Sequence, residues 1–173
     1  MLALIGKSGS GKTTIEDTLI REYGFKRAIS HTSREKRIND IEGVNYYFVS
    51  KEEMERLWKT GELVERVDYL DNIYGFVESE CKPDRVVAVL PDGLRQLNKR
   101  KDLNIFSVYL DVSYDVRKER MSGRGDSDEN VEKRLRTDDE VFARVESMVD
   151  LVINNDNKTI EEIVNEILKA YKK

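Results

Sequence analysis

One stretch constrains this chain more than any other: GKSGSGKT, Gly6 to Thr13, which matches G-x-x-x-x-G-K-[ST] in full. It follows an apolar run, Met1 to Ile5, that reads as a buried strand. It leads into Lys12 to Tyr23, where Ile15, Leu19 and Ile20 fall along one helical face. A strand, this loop and then a helix is the context the motif's chemistry needs. The glycines let the backbone wrap a phosphate with its N–H groups inward, and the helix N-terminus adds partial positive charge. Lys12 reaches the β- and γ-phosphates, and the Thr13 hydroxyl ligates Mg²⁺. A flexible Gly/Ser turn with an exposed lysine would not require that context. The loop therefore implies a nucleoside triphosphate with magnesium. It leaves the phosphoryl acceptor open.

The rest of the chain alternates in the same way. Phe25–Ile29, Tyr46–Val49 and Glu62–Leu70 read as strands, and RVVAVL and NIFSVYL as strands buried on both faces. Helices are expected from Ser50, with Glu53 completing a capping box, to near Gly61, then over Asp92–Arg100, Tyr114–Ser122 and Glu129–Met148. A short strand at Leu151–Ile153 precedes a last helix capped by Thr159 with Glu162. Alternation of this length implies βαβ units and a parallel α/β sheet.

Composition narrows the function classes. With 173 residues, the chain is one domain large enough for a proper core. A net charge of −4 argues against a general nucleic-acid binder. Cys81 is the only cysteine and His31 the only histidine, so an internal disulfide, a Cys-rich metal site and most His-based catalysis drop out. No run is long enough to span a membrane, and a functional loop beginning at Gly6 leaves no room for a signal peptide. A reducing cytoplasm is the expected location. Monomer and homodimer are both open.

The acceptor is sought in ISHTSREKRINDIEGVNYYFVS, Ile29 to Ser50, where Arg34, Lys36 and Arg37 crowd together. Taken alone, SREKR reads as a solvated charge run. The wider pattern is more specific: Arg34, Arg37, Asp40, Gly43, Tyr46 and Phe48 make R-x-x-R-x-x-D-x-x-G-x-x-Y-x-F. Followed by GELVERVDYLDNIYGF, then SGRGDSDENVEKRL, then LVINND, it resembles the guanylate kinase family over almost the whole chain, in the right order.

That resemblance implies a P-loop three-layer α/β sandwich: a core at 1–29, 78–113 and 134–173, a monophosphate-binding insert at 30–77 and a lid at 114–133. It implies ATP at Gly6, Lys7, Ser8, Gly9, Ser10, Gly11, Lys12, Thr13 and Thr14, with Asn154 on the adenine side. Arg34, Arg37, Tyr46 and Tyr74 would hold the acceptor's phosphate, as guanidinium forks and hydroxyls suit it. Ser30 and Glu65 would face the guanine edge, whose N1–H and N2–H₂ donors match a carboxylate. Lys12, Arg34 and the lid residues Arg120, Arg124 and Arg134 would act in catalysis, with Thr13 on the metal. The reaction implied is transfer from MgATP to GMP or dGMP, without a general base, because the acceptor oxygen is already ionised.

The chain departs from the family pattern in four places. Phe76 stands where a Ser or Thr would meet the guanine carbonyl. AVLPDG replaces D-I-D-x-Q-G, so Leu90 and Pro91 occupy the acidic stretch. Asp40 replaces glutamate, and the segment between Gly75 and Arg85 is short. A ring at Phe76 would suit another base, so a kinase for another nucleoside monophosphate or a sugar phosphate stays open. So do a non-catalytic binding module and a nucleotide switch, although the intact phosphate loop speaks against the module.

Overall fold

The structure is a computed structural model that describes residues 1–36, 38, 40–69, 71–123, 125 and 127–171. Its strands are β1 (Leu2–Ile5), β2 (Lys26–Arg27), β3 (His31–Thr32), β4 (Tyr47–Phe48), β5 (Leu63–Tyr69), β6 (Asn72–Val77), β7 (Arg85–Ala88), β8 (Phe106–Asp111) and β9 (Leu151–Asn154). Its helices are α1 (Lys12–Tyr23), α2 (Lys51–Lys59), α3 (Pro91–Leu97), α4 (Tyr114–Gly123), α5 (Asp128–Val141) and α6 (Ile160–Tyr171).

Five strands form a wholly parallel sheet in the order β2-β7-β1-β8-β9. The central strand β1 explains why its sequence is continuously apolar. Ala3 and Ile5 join one core cluster with Leu94 and Leu97 of α3, while Leu2 and Leu4 join another with Ile15 and Leu19 of α1 and Ile163 and Ile167 of α6. Both faces are covered, giving the expected three-layer sandwich. A second sheet, β4-β3-β6-β5, lies within His31–Val77; β3 and β4 run parallel and the other pairs antiparallel.

The two capping boxes turn out differently. Thr159 and Glu162 satisfy each other: Thr159 N–H donates to Glu162 Oε2 at 2.7 Å, and Glu162 N–H to Thr159 Oγ1 at 3.2 Å. At Ser50 only half forms. Glu53 N–H donates to Ser50 Oγ at 3.1 Å, but the Glu53 carboxylate is drawn instead to Arg56, at 2.8 Å. The helix expected to run to Met148 stops at Val141, because Arg144 adopts a left-handed φ of 64° and a 3₁₀ turn follows at Val145–Met148. Strands β3 and β6 were not anticipated; neither has a long periodic run to announce it.

Candidate active site

The phosphate loop joins the C-terminal end of β1 to α1. Gly9 and Gly11 take positive φ values of 79° and 89°, so the loop curls back on itself. The Lys12 ammonium folds over the loop and donates to the carbonyls of Gly6 and Lys7. Thr13 and Thr14 are exposed on the first turn of α1.

Elements distant in sequence support this loop. Asn155, 4% exposed just past β9, donates from Nδ2 to the Ser10 carbonyl at 2.8 Å. Arg120 of α4 donates from Nη1 to the Gly9 carbonyl at 3.3 Å and from Nη2 to the Asn155 carbonyl at 3.1 Å. The end of α5 closes the outer side: Ser8 N–H donates to Asp138 Oδ2 at 2.6 Å, and Lys7 Nζ to Asp139 Oδ1 at 2.7 Å. Arg117, 1% exposed, reaches Asp139 at 3.1 Å and faces Asp138 at 3.8 Å. Asn155, Asp138 and Asp139 were not picked out from the sequence, where only a repeated asparagine and a repeated aspartate mark them.

Two cavities, of about 250 and 350 Å³, share Ser30, Tyr46, Tyr74 and Ala88 as walls. The larger is polar and holds Arg34, Asp40 and Glu16. Here Arg34 is preset: its Nη2 pairs with Asp40 Oδ2 at 2.9 Å, and its guanidinium lies 5.4 Å from the ring centres of both Tyr46 and Phe48. The Tyr46 and Tyr74 rings meet edge to face at 5.9 Å. Burial, opposed by Arg27, pushes the Glu16 carboxyl up to about 7. The smaller cavity is lined by Glu65 with Val67, Val89 and Leu90. Glu65 is 5% exposed, and burial pushes its carboxyl up to about 8. A larger groove of about 650 Å³ between Trp58, Arg66 and Lys99 contains no phosphate-loop residue.

Ser30, Arg34, Tyr46, Glu65 and Tyr74 thus converge on the paired cavities. Three expected site residues lie elsewhere. Phe76 is fully buried in the core cluster with Val64 and Leu94 and does not line either cavity, so its ring cannot read a base directly. Asn154 is exposed, its Oδ1 accepting from Asp156 N–H at 3.2 Å; it is Asn155, on the opposite strand face, that turns to the phosphate loop. Arg134 stands on the exposed side of α5. Arg37 lies outside the described residues, as does Arg124. Phe76→Ser is accordingly expected to lower folding stability by about 4 kcal/mol, through a cavity and a buried hydroxyl. A urea midpoint left unchanged by this substitution would contradict the burial.

A parallel sheet centred on a phosphate loop, with a second sheet that places an arginine, two tyrosines and a carboxylate around a nearby cleft, defines a P-loop nucleoside monophosphate kinase. The family model described as Guanylate kinase matches residues 1–173, and the chain belongs to that family. The guanylate kinase of Clostridioides difficile (strain 630) is 30% identical over 180 residues, covering 99% of this chain and 88% of its own length. That of Mycoplasmoides gallisepticum is 33% identical over 180 residues, covering 98% and 92%. A crystal structure of guanylate kinase from Anaplasma phagocytophilum shares the fold, with a TM-score of 0.72 at 22% identity over 99% of this chain and 84% of that one. No helix among the described residues is long and apolar enough to cross a membrane.

Proposed function

We propose that the protein transfers the γ-phosphoryl group of MgATP to GMP or dGMP, giving ADP and the diphosphate. The observation that carries this reading is the buried Glu65 carboxyl at the apolar end of a cleft whose polar end presents Arg34, Tyr46 and Tyr74. A monophosphate fits with its phosphate on the arginine and its base on the carboxylate, since guanine offers two adjacent donors. In this reading residues 30–77 form the acceptor-binding part, 114–133 the lid, and the remainder the ATP-binding core.

The chemistry follows from placement. Lys12 leaves its loop carbonyls for the β- and γ-phosphates, and Arg120 stays beside Gly9 to meet charge on the transferring group. Arg34 and the two tyrosines align the acceptor oxygen, and a closed lid excludes water. Arg37, Arg124 and Arg134 are proposed to add charge to this site when both nucleotides are bound. Asn154 keeps its proposed place on the adenine side only if β9 exposes it to that base.

The exposed Thr13 hydroxyl beside Lys12 suits a magnesium ion carried in on the triphosphate. Among the described residues no group of three or more His, Cys, Asp or Glu side chains would hold a metal by itself. Thr13 would hold such an ion, which would neutralise charge on the transferring phosphates. A soluble cytoplasmic enzyme is the setting we infer, from the lone cysteine and the ATP requirement.

The apolar walls Val67, Val89 and Leu90 favour a second reading, in which another nucleoside monophosphate is accepted. A coupled ADP-release assay with MgATP and GMP, dGMP, AMP, CMP, UMP, dTMP and dUMP separates the two. GMP or dGMP is expected to lead. Preference for another base would overturn the guanine reading, and no turnover on any acceptor would point to a binding module. In the same assay Arg34→Ala should raise the acceptor KM about 10- to 100-fold, the loss of a charge-assisted pair, and leave the ATP KM unchanged. An unaltered acceptor KM would remove Arg34 from the phosphate site.

A further inference from the structure

Glu65 is placed by a bulge in its own sheet and by a helix outside it. Along the β5–β6 ladder Leu63 pairs with Val77, but Glu65 pairs with Phe76, so β5 carries an extra residue. Such a bulge re-aims the side chains around it. Here it breaks the alternation of the strand, and Leu63, Val64 and Glu65 are all buried in succession. Val64 enters the core cluster, whereas Glu65 turns toward α3 and the acceptor cavity. Gly75, opposite Arg66, makes room: a Cβ there would collide with the Glu65 carbonyl.

The core helix α3 completes the seat. A Cβ on Gly93 would stand 2.5 Å from Glu65 Oε2, so the helix backbone lies directly against the carboxylate. One turn later the Gln96 side chain makes a two-point pairing with the residue after Glu65. Arg66 N–H donates to Gln96 Oε1 at 2.9 Å, and Gln96 Nε2 donates to the Arg66 carbonyl at 2.7 Å. β5 is an edge strand, and at Arg66 its open edge is satisfied by a side-chain amide acting as a neighbouring strand would. The backbone beside the carboxylate is thus held by the core helix as well as by the sheet it belongs to.

We propose that Gln96 is a positioning residue for base selection: by pinning Arg66 it sets how far Glu65 reaches into the acceptor cavity. The inference rests on the reading that Glu65 meets the acceptor base. Its consequence is discrimination by the 2-amino group. A correctly placed carboxylate takes both N1–H and N2–H₂ of guanine, whereas hypoxanthine offers only N1–H. A shift of about 1 Å in such a contact is enough to cost one to two orders of magnitude in rate.

The test compares kcat/KM for GMP and IMP in the unaltered protein, Gln96→Leu, Glu65→Gln and the double variant. Gln96→Leu is expected to lower the GMP/IMP ratio about tenfold, toward the Glu65→Gln value, with the ATP KM unchanged. The double variant should show no further fall, because both changes act through one contact. Gly93→Ala, which crowds Glu65 from the same helix, should lower the ratio too, and provides the measurement if Gln96→Leu folds poorly. A GMP preference that survives both helix substitutions would overturn the inference alone, as would equal losses on GMP and IMP. Equal use of GMP and IMP by the unaltered protein would overturn the reading of Glu65 and the inference with it.

Discussion

Lys12→Ala will lower turnover by about a thousandfold, with little change in folding stability. The ammonium is the one side-chain cation of the phosphate loop set at the start of α1, where the bridging and terminal phosphate oxygens must lie. Charge on those oxygens is redistributed as the phosphoryl group moves, so a fixed cation there acts mainly on the transition state. Lys12 donates to the Gly6 and Lys7 carbonyls, which water can satisfy in its place. Steady-state kcat at saturating GMP, read beside a thermal melt, checks both halves. Turnover within tenfold of the parent would mean that the loop binds nucleotide without catalysing transfer, as a switch would.

The second large effect is on pH. The acceptor KM should fall between pH 6 and 8.5, while the KM for ATP stays nearly flat. Burial holds the Glu65 carboxyl neutral up to about 8, yet guanine's two donors require the carboxylate. The acceptor must therefore bind with loss of a proton below that pH. Ionisation of the acceptor phosphate near pH 6 adds to the lower part of the curve. Glu65→Gln removes the upper part and should cost about 100-fold in kcat/KM for GMP. A KM curve unchanged by Glu65→Gln would mean that another group titrates.

Stability runs the other way. A carboxyl raised from 4.5 to about 8 in the folded state adds stability that is fully present below 4.5 and is lost as pH rises through about 8. Glu16, raised to about 7, acts in the same direction over a lower window. Melting of the free protein should fall across this range, and the stabilisation by added GMP should grow. Thermal shifts with and without GMP at pH 6 and 8.5 would expose a common trend if the assignment were mistaken.

Much of this could be read from the chain because it is local. The phosphate loop is eight consecutive residues whose spacing is its mechanism. The doubly buried strands β1, β7 and β8 declare themselves as unbroken apolar runs, and α6 by its capping box. Arg34, Tyr46 and Tyr74 are recognisable from their spacing within a family pattern, and all three line the larger, polar cavity. Their support was less legible. Asp40 looked like a shortened glutamate, whereas in the fold it pairs with Arg34 while two rings flank the guanidinium.

The sequence by itself determined the alternation of core strands and helices, the phosphate loop and the set of side chains available to a site. These depend on neighbours along the chain. Tertiary structure decided which way those side chains face. A strand exposes alternate residues to opposite sides, so position alone could not tell Asn154 from Asn155, and the buried one supports the loop. One extra residue in β5 shifts the alternation, sending Glu65 toward α3 while its cross-strand partner Phe76 is buried in the core. The seat of the Glu65 carboxylate, against α3 and at the cavity wall, is built from that bulge, Gly93 and Gln96. All three act across the fold, where no local pattern records them.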